Sequence, residues 1–102
     1  MFHVYILYSK KDNGLYIGYT ANIKNRLKAH NEGSVISTKG RRPLSLIFLE
    51  SYINKGDATR REKYLKTTIG RKMLKTMLRN TLGENIIKKQ TMSLSLLLKW
   101  LI

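Results

Sequence analysis

Two stretches decide the fold: Phe2-His3-Val4-Tyr5-Ile6-Leu7-Tyr8-Ser9 and Leu15-Tyr16-Ile17-Gly18-Tyr19-Thr20. Both are rich in aromatic and β-branched residues, and Lys10-Lys11-Asp12-Asn13-Gly14 separates them. An Asn-Gly pair favours the positive φ of a tight turn, so the two stretches are read as an antiparallel hairpin. Their core positions scarcely alternate with polar residues, which predicts a sheet covered on both faces by helices.

Outward from the hairpin, Thr20 or Asn22 can cap a helix reaching Asn31, with Ile23 and Leu27 facing the core and Gly33 just past its end. Gly33 to Pro43 reads as a loop, and Leu44 to Tyr52 as a third strand. Asp57 is expected to cap a second helix with Ala58, Leu65 and Ile69 at i, i+7 and i+11, ended by Gly70. A further helix over residues 71–82 carries Met73, Leu74, Met77 and Leu78 on one side. The expected class is α+β (mixed α/β), a three-stranded antiparallel sheet flanked by three or more helices. Residues 1–83 form the domain, and 84–102 a C-terminal extension expected to be helical. The apolar end of that extension, Leu94 to Ile102, can pack on the domain, join two subunits or bind a partner protein; the residues do not choose.

Twenty Lys and Arg against six acids leave a formal charge of +14, which points to a polyanionic partner, nucleic acid first and an anionic lipid surface second. With no cysteine there is no disulfide, thiolate metal site or cysteine nucleophile, a composition compatible with a reducing cytoplasm. The N-terminus shows no secretory pattern, and the apolar tail, interrupted by Lys99, falls short of the roughly 20 residues a membrane span needs. A cytoplasmic protein is expected.

Glu62 draws attention because it lies at i+4 from Ala58 and i−3 from Leu65, inside the apolar stripe of its helix. An unpaired buried carboxylate is costly, so Glu62 should meet a base such as Arg26, a hydrogen-bond network or a metal ion. Few other acids are placed to converge with it, which favours one metal with a water-rich shell, the habit of magnesium, over a two-metal cluster. Arg26 and His30, four apart on the first helix, can reach one phosphate from one rigid element, or be a solvated base and a core-edge histidine. Four of the six tyrosines, at positions 5, 8, 16 and 19, lie in the hairpin. Each buried phenol needs a hydrogen-bond partner, although most strand tyrosines serve packing. Lys39, Arg41 and Arg42 beside Gly40 form a basic segment suited to gripping phosphates or simply solvated.

Val4-Tyr5, ten intervening residues and Tyr16-Ile17-Gly18, followed by Arg26, His30 and Glu62, resemble the GIY-YIG endonuclease superfamily. The similarity runs over about residues 2–82 and extends, through Arg41-Arg42-Pro43-Leu44 and Arg60-Arg61-Glu62-Lys63-Tyr64-Leu65-Lys66, to small stand-alone bacterial members. His3-Val4-Tyr5 stands where the name-giving triplet is Gly-Ile-Tyr, which keeps the tyrosine. The resemblance implies a metal-dependent endonuclease acting on DNA, RNA not excluded, in structure-selective cutting related to repair or recombination. It implies Mg²⁺, with Mn²⁺ as a substitute, held by Glu62. Tyr5 or Tyr16 then orients or deprotonates a water, Arg26 stabilises developing charge, and His30 relays a proton or holds a phenol. Lys39, Arg41, Arg42, Lys66 and Asn80 are the nucleic-acid contacts expected, Asn80 as counterpart of a late family asparagine. The alternative is a nucleic-acid-binding protein of the same fold that has little or no turnover; a membrane-surface protein is a third reading.

Overall fold

The computed structural model describes residues 1–83 together with 94, 98 and 99. Strands β1 (Phe2–Ser9) and β2 (Leu15–Thr20) precede α1 (Ile23–Glu32), the single turn α2 (Ile36–Lys39) and β3 (Leu44–Tyr52), and α3 (Lys55–Leu65) and α4 (Thr68–Met77) follow. The strands form one antiparallel sheet in the order β2-β1-β3. The α+β class and the three strands are as the sequence predicts. The extension expected over 84–102 lies outside the described residues, except that the Leu94 side chain is buried against the face that carries Tyr5 and Leu7.

The hairpin forms for the reason its residues imply. Asn13 takes φ 60°, and the Asp12 side chain accepts from Gly14 N at 2.7 Å while Tyr8 Oη donates to Asn13 Oδ1 at 2.6 Å. β1 is buried at successive positions from Val4 to Ser9, because both of its faces are covered. On one face Val4, Ile6 and Ile17 pack with Ala58 and Leu65 of α3 and Leu74 and Leu78 at the α4 end. On the other Tyr5 and Leu7 pack with Leu27 of α1, with Tyr16 and Ile23 at the margin. The pairing of β1 with β3 shifts register between Ile6 and Leu7.

Helix α1 is capped by Asn22, whose side chain accepts from Asn25 N, and closes on Gly33 at φ 80°. Three expectations need correcting. The stretch from Gly33 to Pro43 contains α2, whose Thr38 is fully buried. Helix α3 starts earlier than a cap at Asp57 allows: Asn54 is the N-cap, accepting from Gly56 N and Asp57 N, and Asp57 becomes the first-turn acid, paired with Arg60. Replacing Asn54 by alanine is expected to lower stability by about 1 kcal/mol, read as a shifted denaturation midpoint with an unchanged slope.

The third correction concerns Ile69 and Gly70. Helix α3 ends at Leu65, and Thr67 caps α4 by accepting from Gly70 N, so the helical phase breaks and Ile69 is 70% exposed. Gly70 does not stop a helix. It lies buried within α4, where a Cβ would collide with the Tyr64 carbonyl, so its missing side chain lets the two helices meet closely. Of the four residues expected along one side of the last helix, Leu74 and Leu78 are buried, whereas Met73 and Met77 are each 42% exposed.

Candidate active site

The hairpin and α1 hold four of the sequence-selected residues in one cluster. Tyr5 is central, fully buried on β1, and its hydroxyl lies 2.8 Å from Nε2 of the equally buried His30. Arg26 Nε donates to the same phenol oxygen at 3.3 Å. Tyr16, half-buried on β2, packs its ring 5.1 Å from that of His30 and 6.2 Å from that of Tyr5, and Tyr5 meets His30 edge-on at 5.5 Å. These tilted geometries are the favoured ones for aromatic pairs. Arg26 and His30 reach the same phenol because residues four apart share a helix face.

Gly18 makes room for this arrangement. It is the cross-strand partner of Tyr5, and a Cβ there would fall within the Tyr5 ring. The glycine of the Tyr16-Ile17-Gly18 triplet is therefore a seat for the first tyrosine. On the far side His30 Nδ1 lies 2.7 Å from Thr38 Oγ1, a buried partner supplied by α2. The sequence reading missed Thr38, since one helical turn inside an apparent loop leaves no periodic signal.

Burial, reinforced by the Arg26 charge, holds the His30 pKa down at about 4, so the ring is neutral at pH 7. A neutral imidazole donates from one nitrogen and accepts at the other. Two proton arrangements therefore satisfy the chain. In one, Tyr5 donates to Nε2 and Nδ1 donates to Thr38; in the other, Thr38 donates to Nδ1 and Nε2 donates to Tyr5, freeing the phenol proton. Burial pushes the Tyr5 pKa up to about 12, although the Arg26 hydrogen bond opposes it, so this phenol keeps its proton at neutral pH. The same bond to Tyr5 raises the Arg26 pKa against desolvation.

A pH dependence follows. His30 has a folded pKa near 4 against an ordinary value of 6.5, so between these limits the unfolded chain binds more protons. The stability that neutral His30 contributes above pH 6.5 is lost as pH falls through that window. Denaturant unfolding at pH 7.5 and 4.5 should show a larger drop for the parent than for His30→Gln; equal drops would contradict the burial of a neutral ring.

Glu62 stands apart from this cluster. Its helix, α3, packs against β1 and β2 on the face opposite α1, and the carboxylate, 20% exposed, pairs with Lys66 Nζ at 3.0 Å. Among the described residues it makes no hydrogen bond or ion pair to Tyr5, Tyr16, Arg26 or His30, and no group of three or more His, Asp or Glu converges on a metal-sized space. The remaining predicted contacts are dispersed. Arg41 is bound to Asp12 of the hairpin turn at 2.6 Å, where it holds that carboxyl down at about 2. Arg42 donates to the carbonyls of Lys39 and Asn31, Lys66 closes α3 and holds Glu62, and Asn80 lies in the turn after α4.

The chain belongs to the GIY-YIG family: the model of the GIY-YIG catalytic domain matches residues 1–75. That domain is a nuclease domain, and its members depend in general on a divalent metal ion. The relatives are small bacterial proteins of the UPF0213 group. One from Clostridium perfringens is 37% identical over 88% of this chain and 97% of its own length, and one from Staphylococcus haemolyticus is 43% identical over 72% of this chain and 89% of its own. A solution NMR structure of a UPF0213 protein from Bacillus halodurans is similar with a TM-score of 0.53 at 29% identity, covering 88% of this chain and 96% of that one. No helix among the described residues is long and apolar enough to cross a membrane.

Proposed function

We propose that this protein is a metal-dependent endonuclease that hydrolyses phosphodiester bonds in DNA. The observation that carries the reading is the Tyr5–His30–Arg26 cluster, with Tyr16 beside it, in a chain of charge +14 built on a nuclease domain.

The division of labour follows from exposure. Tyr5 is sealed from solvent and keeps its proton, so it positions Arg26 and couples to His30. Tyr16, half-buried over the same ring, can meet a water or a phosphate oxygen, and it is the phenol that orients the attacking water. Arg26 offers its remaining guanidinium donors to the charge that develops on the phosphoryl oxygens. His30, neutral in either tautomer, holds the Tyr5 hydroxyl at Nε2 and is itself held at Nδ1 by Thr38, so it fixes the phenol that positions Arg26.

Glu62 supplies the acid side of the site. β2 is an edge strand against which α3 packs, so a phosphate drawn to that edge would have Tyr16 on one face of the sheet and the helix that carries Glu62 on the other. The donor set fits a hydrated hard cation: one partly exposed carboxylate, with water and phosphate oxygens completing the shell, is how Mg²⁺ is commonly held. Both nitrogens of His30 are engaged, so they are not ligands. When bound, the ion would polarise the phosphoryl oxygen and offset charge on the leaving oxygen. Lys66 must release Glu62 for this. Structure-selective cutting, in repair or recombination, is the finer form of this reading.

The Glu62–Lys66 pair favours a second reading, a nucleic-acid-binding protein with weak or no turnover. Cleavage of supercoiled, branched and single-stranded DNA with Mg²⁺ or Mn²⁺ decides between them. The parent should cut, and Arg26→Ala should cut about 10²- to 10³-fold more slowly. Undiminished cutting by that variant would assign the activity elsewhere, and an inert parent would leave the binding protein.

A further inference from the structure

The side of the molecule behind His30 contains a cavity of about 480 Å³ lined by Lys11, Lys39 and Arg42, with Asn31 and Pro43 in its wall. Lys11 comes from the β1–β2 turn, and nothing in its local sequence marks it for a role. It is brought there by stitching between that turn and the segment leading into β3. Arg41 is bound to Asp12, Ser9 Oγ donates to the Arg41 carbonyl at 2.6 Å, and Lys10 N donates to the Pro43 carbonyl at 3.0 Å. Arg41, which the sequence offers as a phosphate contact, is the clamp that assembles the cavity.

The charge in this cavity is unbalanced. Each of the five carboxylates among the described residues, Asp12, Glu32, Glu50, Asp57 and Glu62, is taken up in an ion pair with another base. The ammonium groups of Lys11 and Lys39 have no acid partner among the described residues, and Arg42 donates only to neutral carbonyls. Three uncompensated cations around a pocket that opens to solvent attract an anion of phosphate size. Two residues of its wall are next in sequence to the buried pair behind Tyr5: Asn31 follows His30, and Lys39 follows the Thr38 that holds it.

We propose that this cavity is a phosphate subsite, in which Lys11, Lys39 and Arg42 hold a backbone phosphodiester other than the one that is cut, and so fix the register of the strand across the active site. The inference rests on the nucleic-acid substrate proposed above and adds Lys11 to its contacts. A phosphate group can come from within a strand or from a 5′ end, and the internal phosphodiester is the occupant proposed, since cutting within a strand requires no free end.

The test is binding of a short duplex to the full chain by fluorescence anisotropy, in EDTA so that nothing is cut, over a series of salt concentrations. The parent is compared with Lys11→Ala/Lys39→Ala and with a control of equal charge loss, Lys72→Ala/Lys75→Ala, on the exposed side of α4. The cavity variant should bind roughly tenfold more weakly at moderate salt, with the slope of log affinity against log salt reduced by about two, and the control should stay close to the parent. The loss should be the same with and without 5′ phosphates on the duplex. Equal losses in both variants would reduce the cavity to part of a diffuse field and overturn the proposal. So would a loss confined to 5′-phosphorylated duplex, or a parent that binds no duplex. Because binding is read without turnover, a parent that shows the expected pattern but cuts nothing refutes the nuclease reading and supports the subsite.

Discussion

Glu62→Gln is expected to lower the rate of metal-dependent DNA cleavage by about 10³-fold or more while leaving the fold in place. Glutamine keeps the shape of the side chain and removes the charge that would hold the cation, and loss of a Lewis acid's stabilisation of the reacting phosphate costs several kcal/mol of barrier. Stability should hardly change, because the pair given up, Glu62 with Lys66, is partly exposed on one helix face and such pairs contribute under about 1 kcal/mol. Single-turnover cleavage and a thermal melt on the same sample separate the two quantities. A variant that melts like the parent and cuts like it would remove Glu62 from the mechanism.

Gly18→Ala is expected to damage fold and site together. The new methyl would overlap the Tyr5 ring, which is fully buried and tied to His30 and Arg26, so either the ring or the β1–β2 pairing must shift. Overpacking of this kind costs about 1–3 kcal/mol, and cleavage should fall because Arg26 and His30 lose their common partner. Adding Tyr5→Leu should restore much of the stability without restoring cutting. That non-additivity is what two residues in contact produce. A single variant with unchanged melting temperature would show that Tyr5 does not depend on the glycine.

The same two residues explain why so much was legible in the sequence. Tyr5 and Gly18 belong to a hairpin whose turn chemistry, strand lengths and two-sided burial are all local, and local signals survive in a sequence. Arg26 and His30 follow for a similar reason: the α1 cap at Asn22 and stop at Gly33 fix the phase of the helix, and phase places both on the phenol. The misreadings arise where local signals compete. Asn54 and Asp57 are both good N-caps, and only the packing of Ala58 and Leu65 on the sheet selects the earlier start. Gly70 carries the usual mark of a helix end, yet its small size serves a close approach to the Tyr64 carbonyl that depends on tertiary structure. Thr38 depends on a contact across eight residues, and the placement of Glu62 on the opposite face from the tyrosines depends on the whole chain path. Spacing along the chain singled out Glu62 without showing that its helix packs on the other face of the sheet from Tyr16.

The most direct measurement is a crystal structure of the protein with Mn²⁺ and a short duplex carrying an uncleavable phosphate linkage. The expected result is an anomalous manganese signal at the Glu62 carboxylate, Lys66 turned away from it, and the linkage phosphate at the β2 edge between Arg26 and Tyr16. A Glu62–Lys66 pair left intact, with no ion on the carboxylate and the duplex seated away from that edge, would contradict it.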